Sequence, residues 1–215
     1  MMPRERAVTA WLTIAVASLV IFGEVLREVV TQSGLTRGDP SLATFIAQHR
    51  ISWLAALLSI VTWAGSSFIL APLTLAIGLL SWTRRRNIGP LVLIGAAYGG
   101  AALSYAILKP VVGRLRPSAA LQYGPPDTGW AFPSGHTTQS AAFYGTLAVL
   151  ALASAVPQRR LLAAGAAAMV VVIGFSRLYL GVHWLTDVLG GLALGLCWVA
   201  IVQLMVAAIG RRQNR

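Results

Sequence analysis

Long runs of apolar side chains, repeated down the chain with almost no charge inside them, constrain this sequence more than any other feature. Neither the stretch from Ala7 to Gly23 nor that from Gly89 to Leu108 contains a charged residue. A bilayer core about 30 Å thick needs about 20 mostly apolar residues per helical crossing, and inside it every backbone N–H and C=O must be satisfied within the segment. With 57% of its 215 residues hydrophobic and only 11% charged, the chain lies outside the range of ordinary soluble domains. It reads as an all-α, polytopic integral membrane protein, a single membrane-embedded domain over residues 1–215.

Six transmembrane helices in a bundle are expected near residues 7–26, 64–82, 88–108, 136–156, 161–180 and 185–209, each bounded by Pro, Gly or charge. The apolar stretch from Ile51 to Trp82 is too long for one ordinary crossing, and "WAGSS" at Trp63–Ser67 interrupts it. Residues 51–62 are therefore expected as a separate packed half helix. "DPSLATFIAQHR" from Asp39 places Leu42, Phe45 and Ile46 at helical spacing after a proline, which predicts a short interfacial helix. Met1–Arg6 followed by Ala7–Gly23 resembles a secretory signal, but the run is long and no small-residue cleavage site follows, so an uncleaved first span is expected. Cys197 is the only cysteine, which excludes a disulfide within one chain and leaves packing as its role.

The formal net charge is +11, yet sixteen of the seventeen cations are arginines scattered over loops. That distribution reads as topology signals, with no nucleic-acid partner expected and no obligate protein partner evident. With a cytoplasmic amino terminus, the inner segments hold Arg4, Arg6, Arg84, Arg85, Arg86, Arg159, Arg160, Arg211, Arg212 and Arg215, with Glu5 their only acid. Both termini are then cytoplasmic. The opposite side carries Arg27, Arg37, Arg50, Lys109, Arg114, Arg116 and Arg177, five of the six acids and all three histidines. The chemistry is expected there.

Three segments at span ends on that side can converge: "KPVVGRLRP" from Lys109, "PSGH" from Pro133, and "SRLYLGVHWLTD" from Ser176. Lys109 alone would read as a snorkelling helix-end cation. With Arg116 and Arg177 on the same face and few acids nearby to pair with them, the three read as a receptor for a multiply charged anion, since arginine's fork matches two phosphate oxygens. Arg114 reads as a solvated loop charge. "PSGH" opens a helix whose first amides and dipole favour phosphate; Gly135 permits close approach, and Ser134 can cap the helix or donate its hydroxyl to a ligand. Helix initiation gives no reason for His136.

His183 and Asp187 share a helix face at a spacing of four, so the carboxylate can fix one imidazole nitrogen as donor and leave the other with a free lone pair. Two histidines with unlike neighbours suggest unlike roles. His183 would attack phosphorus to give a phosphohistidine; His136 would protonate the departing oxygen and then activate water. The three cations and the helix amides would stabilise the transferring group. No metal or other cofactor is expected, because three histidines, one cysteine and scattered acids make a poor ligand set. Trp130, Trp184 and Tyr123 lie beside these segments and read as an interfacial aromatic belt.

Lys109, six residues, Arg116 and Pro117; Pro133, Ser134, Gly135 and His136; Ser176, Arg177, five residues, His183, three residues and Asp187 together resemble the three-part signature of the type 2 phosphatidic acid phosphatase superfamily. The resemblance implies metal-independent dephosphorylation of lipid phosphates and diphosphates through a phosphohistidine on the residue matching His183, with His136 as acid and Asp187 as orienter. It implies phosphate binding by the matches at Lys109, Arg116, Ser134, Gly135 and Arg177. Small bacterial members similar to this chain act on phosphatidylglycerophosphate or undecaprenyl diphosphate in the cytoplasmic membrane. The residues outside the motifs do not choose between those two substrates. A lipid phosphotransferase or a vanadate-dependent haloperoxidase on the same scaffold, and an anion transporter using the cationic cluster, are the competing readings.

Overall fold

The structure, a computed structural model, describes residues 4–212. Its eight α-helices are α1 (Arg4–Thr31), α2 (Asp39–Gln48), α3 (Ser52–Val61), α4 (Ser67–Arg85), α5 (Gly89–Val112), α6 (Gly135–Ala153), α7 (Arg159–Tyr179) and α8 (Leu185–Arg212). Local sequence explains several boundaries. Asn87 Oδ1 accepts the Gly89 amide just ahead of Pro90 at the start of α5, and Gly113, at φ +61°, ends the same helix in the left-handed region. At the start of α8, Asp187 reaches back to accept the Trp184 N–H at 2.9 Å, the reach-back half of a capping box.

Among the described residues, α1, α4, α5, α7 and α8 are each long and apolar enough to cross a membrane. The segment holding α2 and α3 passes that test only as a pair, and the pair is bent by 116°. Both of its ends lie at one end of the bundle. Asp39, opening α2, contacts Arg114 beyond α5 and Thr186 at the start of α8, while Ser67, beyond α3, donates to Gln139 in the first turns of α6. The pair therefore returns to the face it left. The expected interfacial helix is α2 and the expected half helix is α3.

The sixth crossing is α6, whose 19 residues span ~28 Å at 1.5 Å each. It is too polar to pass on hydropathy because its polar side chains face protein: Thr137, Thr138, Gln139, Ser140 and Thr146 are all buried. It packs against α5, α7 and α8; Thr138 and Thr146 donate to the carbonyls four residues back and Gln139 to that of Gly65, while the buried Ser140 hydroxyl has no hydrogen-bond partner.

Small residues set the closest approach. A Cβ on Gly195 of α8 would overlap the Thr138 carbonyl and lie 2.5 Å from Ala141 Cβ on α6; one on Gly191 would lie 2.8 Å from the Ser134 carbonyl. The four-residue spacing of these glycines is the small-residue pattern of close membrane helix pairs. Gly195→Val is expected to destabilise the protein by about 1–3 kcal/mol through overpacking, seen as a lower thermal unfolding midpoint in detergent.

Several boundaries differ from expectation by three to five residues, among them the end of α5 at Val112 and the end of α6 at Ala153, and two have a clear local cause. α1 runs five residues past 26, because its last turns are a polar rim carrying the exposed Glu24–Arg27 pair. α4 starts at Ser67 because residues 62–65 form a tighter 3-10 turn ahead of it. Of the cations expected on the inner side, Arg215 and the side chains of Arg4, Arg211 and Arg212 lie outside the described residues; Arg6, Arg84–Arg86, Arg159 and Arg160 are exposed.

Candidate active site

The end of α5, the start of α6, the end of α7 and the start of α8 meet at one end of the bundle, so the three segments singled out in the sequence do converge. Phe132 anchors the second of them. Its ring is fully buried between α1 and α8, stacked on Phe22 at 5.8 Å, and the Ser134 amide donates to the Asp187 carbonyl at 3.0 Å. This ties the mouth of α6 to the first turn of α8. Beside it lies a cavity of about 230 Å³ lined by Lys109, Arg116, Gly135, His136 and His183, together with Tyr105, Asp127 and Gln139.

His183 is 2% exposed, and its Nδ1 lies 3.3 Å from Asp187 Oδ2, a fully buried carboxylate. Burial, more than the guanidiniums of Arg177 and Arg116, holds the imidazole pKa well below the ordinary histidine value, so the ring is neutral. A neutral ring donating through Nδ1 leaves Nε2 as an acceptor, and on the cavity side Arg116 Nη1 donates to it at 3.3 Å, a bond that a phosphoryl oxygen taking the guanidinium would release. His136, one residue into α6, lines the same cavity without a carboxylate partner.

Arg114 is not a solvated loop charge. Its Nη1 donates to Asp187 Oδ1 and Thr186 Oγ1, both at 2.6 Å, and its Nη2 to Asp39 Oδ2 at 2.7 Å, with the side chain 9% exposed and over the Trp184 ring. The loop brings it inward because Gly113 turns the chain at the end of α5. Asp187 is thus held by three elements at once: its own helix, the α5–α6 loop and, through Asp39, α2. Arg114→Lys keeps one charge but cannot bridge, and is expected to lower kcat about 10- to 100-fold with a much smaller change in KM. Steady-state kinetics alongside a thermal melt would separate this from unfolding.

The cationic trio is only partly as expected. Lys109 donates to the Trp130 carbonyl and lines the cavity. Arg116 and Arg177, expected to lack acidic partners, both pair with Asp127 Oδ2, at 2.9 and 2.7 Å. Arg177 lies behind the cavity wall, with Nη1 on Thr62 Oγ1 at 3.2 Å and a buried Nε that has no hydrogen-bond partner. Ser134 is likewise behind the wall, its hydroxyl accepting from Thr137 at 3.0 Å. Trp130, Trp184 and Tyr123 do not line the cavity; the Trp184 indole donates to the Leu115 carbonyl. Among the described residues no group of three or more His, Cys, Asp or Glu is placed to hold a metal ion.

Asp39, Asp127, Gln139 and Tyr105 were not singled out by sequence. The one available signal was scarcity: the chain has only three aspartates, and all three lie in this network.

Comparison with known proteins gives a consistent pattern. Residues 90–211 match the model of the PAP2 superfamily. Phosphatidylglycerophosphatase B of Bacillus subtilis is 30% identical over 190 residues, which cover 86% of this chain and 92% of that protein. Undecaprenyl-diphosphatase of Sulfolobus acidocaldarius is 28% identical over 173 residues, 79% of this chain and 78% of the relative. The crystal structure of a transmembrane PAP2-type phosphatidylglycerolphosphate phosphatase from Bacillus subtilis superposes with a TM-score of 0.79 at 25% identity, over 94% of this chain and 97% of the other.

Proposed function

The chain belongs to the PAP2 superfamily, and on that footing we propose that it removes phosphate from membrane lipid phosphates or diphosphates through a phosphohistidine on His183. The observation that carries the reading is His183 itself: a neutral imidazole, held at Nδ1 by an immobilised carboxylate, with Nε2 facing a cavity lined by Lys109, Arg116 and His136. The buried, unpartnered Nε of Arg177 adds a donor that an anion at this end of the bundle would satisfy.

In the first step His183 Nε2 attacks phosphorus and the bond to the lipid oxygen breaks, while His136 gives that oxygen a proton. In the second, His136 takes a proton from water, whose oxygen attacks phosphorus and displaces Nε2, releasing inorganic phosphate. Lys109, Arg116 and Arg177 stabilise the charge on the phosphoryl oxygens, with the first amides of α6 adding donors. The site lies at the extracytoplasmic face of a bacterial cytoplasmic membrane with both termini inside; the exposed arginines at the opposite end of the bundle support that orientation.

Phosphate release from phosphatidic acid, phosphatidylglycerophosphate and undecaprenyl diphosphate by detergent-solubilised protein, with and without a chelator, tests this reading. Release that persists with chelator supports it, and no release from any of the three overturns it. Transfer to an added alcohol in place of water would indicate a phosphotransferase.

A further inference from the structure

The loop between α5 and α6 carries one charged group for which the proposed reaction has no use. Asp127 lines the cavity with Lys109, His136 and His183, and its Oδ2 accepts from both Arg116 Nη1 and Arg177 Nη2. One oxygen collecting two guanidinium donors reproduces what a single phosphoryl oxygen would present to the same two arginines. Without it, two buried cations would face each other unpaired, which is costly.

The carboxylate is also the most movable part of the arrangement. Its side chain is 38% exposed, against 12% for Arg116 and 7% for Arg177. It lies between Gly124 and Gly129, both at positive φ (+83° and +80°), and is tethered outside any helix by the Gln122 side chain, which accepts its amide at 2.8 Å and donates to the Pro117 carbonyl at 2.8 Å. Asp127 can leave the two arginines without breaking a helix.

We propose that Asp127 is a specificity-determining residue: its carboxylate holds the phosphate position between Arg116 and Arg177 and yields it to phosphomonoester and terminal diphosphate groups but not to phosphodiesters. This rests on the reading that those arginines hold the substrate's phosphoryl group. A monoester carries about −1.5 to −2 charge at neutral pH and three free oxygens, so exchanging it for a carboxylate adds charge and acceptors among the three cations. A phosphodiester carries one charge and two free oxygens, no more than the carboxylate already supplies. Exchange then gains nothing and still displaces the loop. The diester headgroups that surround a membrane enzyme are excluded by competition from within the site.

The test measures, in detergent micelles, the KM for phosphatidic acid and the inhibition constant of phosphatidylglycerol with matched chains, for wild type, Asp127→Asn and Asp127→Glu. Asp127→Asn is expected to lower the ratio of inhibition constant to KM at least about tenfold, and Asp127→Glu to keep the wild-type ratio. An unchanged ratio in Asp127→Asn overturns the proposal. Should that variant fail to fold, Gln122→Ala, which frees the tether, is expected to lower the ratio several-fold, and no change there overturns it equally. Wild type releasing no phosphate would sink the functional reading; active wild type with an unmoved ratio would sink only the role of Asp127.

Discussion

His183→Ala is expected to reduce phosphate release by at least about four orders of magnitude, because removing a nucleophile eliminates the covalent route and leaves only binding and electrostatic stabilisation. The structure makes the expectation specific. Nδ1 is committed to Asp187 and only Nε2 faces the cavity, so no other nitrogen of the ring can substitute. Wild type incubated with radiolabelled substrate and quenched should carry an acid-labile, alkali-stable phosphoryl group that His183→Ala lacks; label persisting in the variant would move the nucleophile elsewhere. Burial holds the His183 pKa well below its ordinary value, so the lone pair stays available as pH falls through about 6.5 and the acid limb set by this group lies lower. The same depression has a stability consequence. Below about pH 6.5 the unfolded chain binds a proton that the folded chain refuses, so this residue's contribution makes stability fall as pH drops through that window.

His136→Ala carries the second large effect, a loss of about 10²–10⁴-fold on lipid substrates, the range for removing a general acid. What separates a proton donor from a packing residue is dependence on the leaving group. p-Nitrophenyl phosphate releases p-nitrophenolate, which departs without protonation, so first-step phosphorylation of His136→Ala by that substrate should be close to wild type while lipid turnover collapses. Equal losses on both substrates would assign His136 to binding. Its position is compatible with that role: at the start of α6 it lines the same cavity as His183.

The crossings and the motif residues could be read from sequence because both are local. Apolar length marks α1, α5 and α8, and His183 with Asp187 announce themselves by spacing on one helix. Even α6 could be placed, although its first half is polar, since Pro133 and Gly135 mark its start and the apolar run follows. What could not be read are the pairings that close the site. Arg114 meets Asp39 across 75 positions and Asp187 across 73, and Asp127 meets Arg177 across 50. Nothing in the neighbourhood of Arg114 separates a solvated loop cation from a strut; only Gly113 at positive φ, turning the chain inward, decides it. The free cationic trio failed for the same reason, because Asp127 lies eleven positions from Arg116 in a loop with no periodicity to give its direction.

The polarity of α6 has a consequence for biosynthesis. A segment opening with Gly-His-Thr-Thr-Gln-Ser gains little from lipid on leaving the translocon alone: its threonines can bond carbonyls four residues back, but the Gln139 amide depends on the Gly65 carbonyl outside the helix, and His136 and Ser140 are shielded from lipid only by neighbouring helices. Chains truncated before α7 and α8 should therefore leave α6 accessible to water-soluble labelling reagents, and full-length chains should bury it. Completion of the catalytic end is then coupled to completion of the chain, so that a nascent, partly inserted protein exposes no working phosphatase to the bilayer around it.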